Sequence, residues 1–405
     1  MAAQSFDFAI IGGGPVGLSM ALALTRSMSG LRIALVDRRT LSVPKDERAS
    51  AIAAGVRRVF EELGVWSRVA DLAEPVRQMK ITDSGTGDMA RPLFLRFEGD
   101  VAPGEPYAHL VPNSALAKAL LDGVQDQITV FAPAVIAKVT TGPASTQIDL
   151  EDGTSFTAAL VIAADGVNSA MRERAGIGTH GHDYGQAGVV ATIAHTLPHE
   201  GTAFEHFRPA GPFASLPLPG NRSSLVWTET LDEAARLKAL PPAALAREIE
   251  TAMGSSLGAV TLESAVEAYP LRLRIARTSI GPRLALIGDA AHVVHPIAGQ
   301  GLNLGLKDVA ALAEVLVEAL RLGLDPGAPD VLARYERWRR LDVAVMAMVT
   351  DGMNRLFSND LAPVRALRDL GLGVVDRIGP LKGYMIAKAA GIDRSGPRLL
   401  RGLPI

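Results

Sequence analysis

Hydrophobic positions along the chain gather in short runs that stop at glycine or aspartate. Phe6-Asp7-Phe8-Ala9-Ile10-Ile11 closes on Gly12-Gly13-Gly14, and small and apolar residues follow from Val16 to Leu24. This pattern predicts a strand, a tight turn and a buried helix. A second run, Ile33 to Val36, ends at Asp37. Strand, helix and strand over about 30 residues make a βαβ unit, the nucleotide-binding half of a doubly wound sheet. Leu160 to Ala163, ending at Asp165-Gly166, and Leu284 to Ile287, ending at Gly288-Asp289, read as further buried strands of the same sheet. Each puts polar or glycine residues at its C-terminal end, where open α/β sheets bind ligands.

Elsewhere the period changes. Ser223 to Thr228 alternates and Pro209 to Pro219 is rich in turn residues, which predicts antiparallel strands of an inserted subdomain. From Val309 onward the pattern is helical; Pro326 and Pro329 interrupt it before a second helical stretch that starts near Val331. The expected architecture is α/β, with a Rossmann-like domain whose first part spans 1–182, residues 75–105 being candidates for the inserted domain. An inserted antiparallel-sheet substrate domain follows over 183–270, then the second part of the Rossmann-like domain over 271–325 and a C-terminal helical region over 326–405.

Composition narrows the chemistry. Lys+Arg 41 against Asp+Glu 43 leaves a formal net charge of -2, without the broad positive field that a nucleic-acid partner needs. The absence of cysteine excludes disulfides, thiolate nucleophiles, iron-sulfur clusters and Cys-zinc sites, and suits a reducing cytoplasm. No apolar run reaches the roughly 18–20 residues of a membrane span. Phe6 to Ile11 runs into a glycine turn rather than a signal-peptide cleavage site. A cytoplasmic protein, at most peripheral to the inner membrane, is expected.

Gly12-x-Gly14-x-x-Gly17 lies between strand and helix as a dinucleotide fingerprint requires: one glycine for the turn, one for close approach of a pyrophosphate, one for helix packing. Asp37 follows Gly17 by twenty residues, the spacing that lets a carboxylate accept hydrogen bonds from ribose hydroxyls. A glycine turn without ligand is the plainer alternative, and the fingerprint alone does not separate FAD from NAD. Gly288-Asp289 then leads through His292 and His295-Pro296 into the glycine-rich stretch Gly299 to Gly305. That places a carboxylate at a strand end and a helix N-terminus able to support negative charge on a reduced ring system.

The segment from His295 to Asp308 resembles, at every fixed position, the signature His-Pro-x-Ala-Gly-Gln-Gly-x-Asn-x-Gly-x-x-Asp of the ubiquinone-biosynthesis hydroxylases. These are FAD-dependent aromatic hydroxylases that share the fold of p-hydroxybenzoate hydroxylase. The resemblance runs from Phe6 to about Gly391. It implies that the Rossmann-like domain binds FAD through Gly12, Gly14, Pro15, Val16 and Gly17, with Asp37 and Arg38 at the ribose end. Asp37 stands where the family more often has Glu, which shortens the reach by one methylene. Arg48 of Asp46-x-Arg48, Asn113, Asp165 and Gly166 match positions near the cofactor; Asp289 matches the contact to the ribityl chain. Pro296, Gly299, Gln300, Gly301, Leu302 and Asn303 match the flavin loop.

The family's chemistry implies FAD reduced by NAD(P)H without a second Rossmann domain, O2 as oxidant, and hydroxylation of a lipophilic aromatic quinone precursor, a polyprenylated phenol. The backbone carbonyl of Pro296 is the candidate nearest the reacting region, and no catalytic side chain is assigned. A soluble hydroxybenzoate-type hydroxylase is the main alternative, with Arg208 or Arg222 as the cation for a substrate carboxylate. An FAD-dependent isoprenoid-lipid reductase and a non-catalytic prenyl-binding escort protein are the others; an intact Asp289 and Gly299 to Gly305 loop argue against the escort.

Three features stand outside this scheme. His292 and His295 are three apart but lack the acid of a His-Glu-x-x-His zinc site, so they are expected to brace the loop by hydrogen bonding, with Asp308 orienting it and no metal bound. Arg337-Trp338-Arg339-Arg340 reads as a solvated helical face with a packed tryptophan. Beyond Asn354 basic residues outnumber acidic ones, and Ile378, Leu381, Tyr384 and Met385 recur at helical spacing beside Lys382 and Lys388. That pattern suits ordinary helix surface and a helix lying on an anionic membrane or partner equally.

Overall fold

The computed structural model describes residues 4–45, 48–83, 93–98, 100–357, 390–392 and 395–405. Asp46 and the basic amphipathic pattern at 378–388 lie outside the described residues. The first layer is a largely parallel sheet with strands in the spatial order Thr129–Phe131, Ile33–Val36, Gln4–Ile11 and Ser155–Ala163. Leu284–Leu286 pairs in parallel with the C-terminal half of Ser155–Ala163, and Thr146–Leu150 pairs antiparallel with its N-terminal half. The three apolar runs that end at Gly12, Asp165 and Gly288 therefore share one sheet.

Their continuous hydrophobicity follows from burial on both faces. Phe8, Ile10, Ile33 and Leu35 pack against the helices Pro15–Ser27, Asn113–Val124 and Gln300–Arg321. Phe6, Ile11, Ala34 and Val36 face the opposite layer with Phe156 and Phe131, whose rings stack at 4.9 Å. The last helix begins at Gln300, well before the apolar pattern at Val309, because the glycines of the loop are part of it. At Gly305 a Cβ would lie 2.9 Å from Val16 Cγ2 and 3.1 Å from Gly288 Cα. Only hydrogen there lets this helix, the first helix and the Gly288 turn touch.

The second sheet runs in the order His292–Val293, Glu267–Ala276, Thr179–His195, Arg222–Thr230, Gly211–Leu218, Thr202–Arg208, Gln78–Asp83 and Leu93–Glu98. Its pairings are antiparallel except that of Thr202–Arg208 with Gln78–Asp83, which is parallel. Helices Leu231–Ala239 and Pro242–Met253 cover one face through Phe213, Trp227, Leu237 and Ile249. The other face meets the first domain through a small sheet of Ala49–Ala53, Ala108–Pro112 and Glu74–Val76. Helix Pro329–Phe357 is pinned beneath the main sheet where Tyr335 OH donates to the carbonyl of Leu286 at 2.8 Å. Among the described residues no helix is long and apolar enough to cross a membrane.

Candidate cofactor and substrate site

Chain reversals at the carboxyl ends of the parallel strands line up side by side. The Gly12 N–H donates to Val36 O at 2.8 Å, Ala164 N–H to Ile11 O at 2.7 Å and Ile287 N–H to Ala163 O at 2.9 Å. Each loop thus inherits the register of its neighbour. Gly12 has φ +113°, and a Cβ there would lie 2.3 Å from Ala164 O. A Cβ on Gly17 would lie 2.0 Å from Gly12 O, so the helix packs directly on the turn. Gly14, the residue before the helix, has φ −76° and no protein atom within 4 Å of where a Cβ would stand. Two glycines are demanded by the protein; Gly14 leaves room that the protein does not use.

Asp37 ties the second strand to this turn. Its Oδ2 accepts from Gly13 N–H at 2.7 Å and its Oδ1 from Arg39 N–H at 2.8 Å, which leaves each oxygen further lone pairs. Arg38 is exposed beside it. Pro15 occupies the first turn of the helix, and Val16 wedges against Gly288 and Gly305. The Arg48 guanidinium lies over the Tyr269 ring, 5.1 Å from its centroid, and Arg48 O accepts from Asn113 N–H at 2.8 Å. Asn113 Oδ1 in turn accepts from Ser50 Oγ at 2.7 Å. At the third strand, Asp165 Oδ2 accepts from Met171 N–H at 3.1 Å, whereas its Oδ1 is buried without a partner. Gly166 has φ +85° and open space at its Cβ position.

The second loop is built on a buried ion cluster. Asp308, fully buried, accepts from Gly288 N–H at 2.9 Å and lies 2.6 Å from His292 Nε2 through Oδ2; its Oδ1 accepts from Arg339 Nε at 2.7 Å. Arg339 also donates to Asp342 at 2.6 Å and to Leu304 O at 3.3 Å. Burial alone would raise the Asp308 carboxyl; the charges of and hydrogen bonds from His292 and Arg339 outweigh it and hold the group below the usual carboxylate range. Asp289 on the Gly288–Ala290 turn is solvent-exposed, yet crowding by surrounding protein, opposed by His292 and reinforced by Asp308, raises its carboxyl.

The segment 296–303 is tightly tied. Pro296 O accepts from Gly299 N–H at 2.9 Å, so the carbonyl expected near the reacting region also closes a turn. Gly299, at φ +64°, precedes helix Gln300–Arg321. Gln300 is buried, Gly301 has open space at its Cβ position and Leu302 packs on the main core. Asn303 spends its amide on backbone: it accepts from Ala53 N–H at 2.9 Å and donates to Ala51 O at 2.8 Å and Gly299 O at 3.0 Å. It therefore clamps the loop to strand Ala49–Ala53.

Two expectations change. His292 braces the loop through Asp308, but His295 does not: it is fully buried, neither ring nitrogen has a partner, and its ring stands edge-on to Tyr184 at 5.0 Å. Burial pushes its pKa down to about 4, a neutral imidazole. Arg339 is not on a solvated face; Arg337 and Arg340 are exposed, while Arg339 turns inward to the buried carboxylate of Asp308. Nor did the sequence single out Arg172, which donates to Ala290 O and Val167 O at 2.9 Å and so joins the Asp165 loop to the Asp289 turn.

These features fit a dinucleotide: unused room at Gly14, a buried unpaired oxygen on Asp165, an exposed carboxylate at Asp289 and a glycine-capped helix N-terminus at Gly299. Residues 5–350 match the family model described as FAD binding domain. The chain is 44% identical over 408 residues to ubiquinone hydroxylase UbiL of Rhodospirillum rubrum, covering 98% of this chain and 93% of that one. It is 34% identical to 3-demethoxyubiquinol 3-hydroxylase of Escherichia coli, covering 97% of this chain and 100% of that one. Among solved structures, p-nitrophenol 4-monooxygenase PnpA of Pseudomonas putida superposes with TM-score 0.78 at 18% identity, over 96% of this chain and 99% of that one.

Fold and site define an FAD-binding flavoprotein of the p-hydroxybenzoate hydroxylase architecture. This chain belongs to the FAD-binding monooxygenase family that includes the ubiquinone hydroxylases, oxidoreductases that act on aromatic quinone precursors.

Proposed function

We propose that this chain hydroxylates a polyprenylated phenol on the pathway to ubiquinone, with FAD as cofactor, NAD(P)H as electron donor and O2 as oxidant. The observation that carries the choice of substrate is the state of the two candidate cations. Arg208 lies over the Trp227 ring and pairs with Glu229 at 3.5 Å; Arg222 pairs with Glu263 at 2.5 Å. Trp227 belongs to the helix-covered face of the sheet, so Arg208 serves that face rather than the one turned to the first domain. Both cations are engaged by protein carboxylates, Arg208 on the helix-covered face. The facing wall is apolar, formed by Ala203, Leu216 and Leu218 with Ala49 and Ala51.

Bound FAD supplies the redox chemistry and the reaction with O2. The protein's part is to hold and shield it. Gly12 to Gly17 and the helix behind them take the pyrophosphate, with Asp37 and Arg38 at the ribose; Arg48, Asn113, Asp165 and Gly166 line the cofactor. Asp289 receives the ribityl chain, and Pro296 with Gly299 to Asn303 supports the ring. A polyprenyl tail partitions into a bilayer at about 0.8 kcal/mol per buried CH₂, so the enzyme is expected to work at the cytoplasmic membrane surface, alone or in a biosynthetic complex.

The test supplies NAD(P)H and either a prenylated phenol or a simple hydroxybenzoate, and measures hydroxylated product. Hydroxylation of the prenylated phenol is expected. Coupled turnover of the benzoate alone refutes the substrate assignment.

A further inference from the structure

Glu205 is an isolated carboxyl in an apolar wall. It is 6% exposed, its Oε1 is buried without a hydrogen-bond partner, and its in-register neighbours are Ile81 on one side and Ala214 on the other. Burying a lone carboxyl with nothing to satisfy it costs stability, so its retention calls for a role such as catalysis or contact with a ligand or water. Close enough to interact with its charge is Tyr107, whose hydroxyl is also buried and unpartnered.

Their surroundings fix what that ligand is. Tyr107 packs in the same apolar cluster as Ala51, Met79, Ala203 and Leu216, where the substrate sheet meets strand Ala49–Ala53. Ala51 is also the residue that Gly299 and Asn303 of the flavin loop touch: a Cβ on Gly299 would lie 3.1 Å from Ala51 Cβ, and Asn303 bonds Ala51 O. One strand thus separates the ring-supporting loop from a hydrophobic wall that carries two unpaired oxygens. A flat apolar ligand with a hydroxyl would match this wall and its two oxygens.

We infer that Glu205 is a catalytic residue that accepts the phenolic O–H of the aromatic substrate, with Tyr107 beside it holding the same oxygen. The inference rests on the hydroxylase function proposed above. The O–H bond breaks, the proton passes to a Glu205 carboxylate oxygen, and the electron pair stays on the phenolate oxygen, which enriches the ring for attack on the transferred oxygen atom. The charge environment suits this step. Burial pushes the Glu205 carboxyl up to about 7, so it is a competent base near neutrality. Lys80, His206 and Arg208 lie on the opposite face of the sheet, with Phe204, Thr82 and Trp227. Helix Pro329–Phe357 reaches this face through Met353 and Leu356, both apolar, against Phe207.

The experiment compares FAD-loaded wild type, Glu205→Gln, Glu205→Asp and Tyr107→Phe, recording melting temperature and the pH profile of kcat/KM for prenylated-phenol hydroxylation. Wild type should show an acid limb with a midpoint near the Glu205 pKa of about 7. Glu205→Gln should melt at or above the wild-type temperature, since it removes a buried charge, yet lose at least about 100-fold in kcat and the acid limb. Glu205→Asp should recover part of the rate, and Tyr107→Phe should raise KM more than it lowers kcat. If wild type hydroxylates the phenol and Glu205→Gln keeps its rate and pH profile, or loses rate only in step with a lower melting temperature, the assignment of Glu205 is overturned. If wild type hydroxylates no phenol, the proposed function fails first and takes the assignment with it.

Discussion

Replacing Arg339 with Met removes the cation that balances Asp308 and leaves a volume of similar shape. Asp308 would keep Gly288 N–H and His292 but lose its 2.7 Å bond to Arg339, all of it away from water. Breaking a buried pair by deleting one partner costs about 3–5 kcal/mol, because the remaining charge is uncompensated. Unfolding entropy of about 2.1 cal/mol/K per residue over 405 residues is about 0.85 kcal/mol/K, so the loss corresponds to a drop of roughly 4–6 °C in melting temperature. Asp308 is depressed in the folded chain, so its contribution is present above the unfolded carboxylate pKa and disappears as pH falls through the folded value. Without Arg339 that folded value rises, and protonation relieves the variant earlier than the wild type. The deficit should therefore be full at pH 7.5 and shrink towards pH 5, read by thermal melts of the FAD-free protein across that range. A drop under about 1 °C, or a deficit that is flat with pH, refutes the cluster as the support of the second loop.

Gly14→Ala should leave the melting temperature of the FAD-free protein unchanged, since nothing lies within 4 Å of the new methyl group, while weakening FAD by at least about 10-fold in a fluorescence titration. Equal FAD affinity would show that the pyrophosphate does not approach this residue. Gly17→Ala makes the contrasting case: its Cβ would meet Gly12 O at 2.0 Å, so both flavin retention and melting temperature should fall. Asp289→Ala deletes an exposed acceptor and should cost about 1.5–3 kcal/mol of FAD affinity with little change in fold stability; unchanged flavin retention after gel filtration would remove Asp289 from the site.

The main sheet was legible because its strands are buried on both faces and its turns need glycine. Ile33 to Val36 is the strand that the apolar run predicts, and Leu160 to Ala163 is the buried half of Ser155–Ala163. One boundary and one strand pairing were not. Helix Gln300–Arg321 begins within a run that looks like loop, since Gly301 and Gly305 have poor helix propensity, and Gly305 is placed there by close packing on Val16 and Gly288. Residues 75–105 were candidates for the inserted domain, and Gln78–Asp83 and Leu93–Glu98 do join the second sheet; what stayed hidden is the partner, because parallel pairing of Gln78–Asp83 with Thr202–Arg208 leaves no local turn signal.

The site divides along the same physical line. Residues that shape the backbone, such as Gly12, Gly17, Asp37 and Gly299, carry their roles in spacing and are read directly. Those whose role depends on burial are not. Arg339 sits in a run of cations that any solvated helix could carry, and only the packing of Pro329–Phe357 against the loop turns it to Asp308. Glu205 is one polar residue in an ordinary strand, and it becomes exceptional because helices cover the far face of its sheet while the first domain covers the near one. The unpaired buried atoms of Asp165, Tyr107, Glu205 and His295 each belong to a loop or wall of the proposed site. Ser19, Thr146 and Ser215 bury unpaired hydroxyls elsewhere in the fold, so it is position beside these loops and this apolar wall, and not the missing bond alone, on which the proposal of ligand partners for the four groups stands.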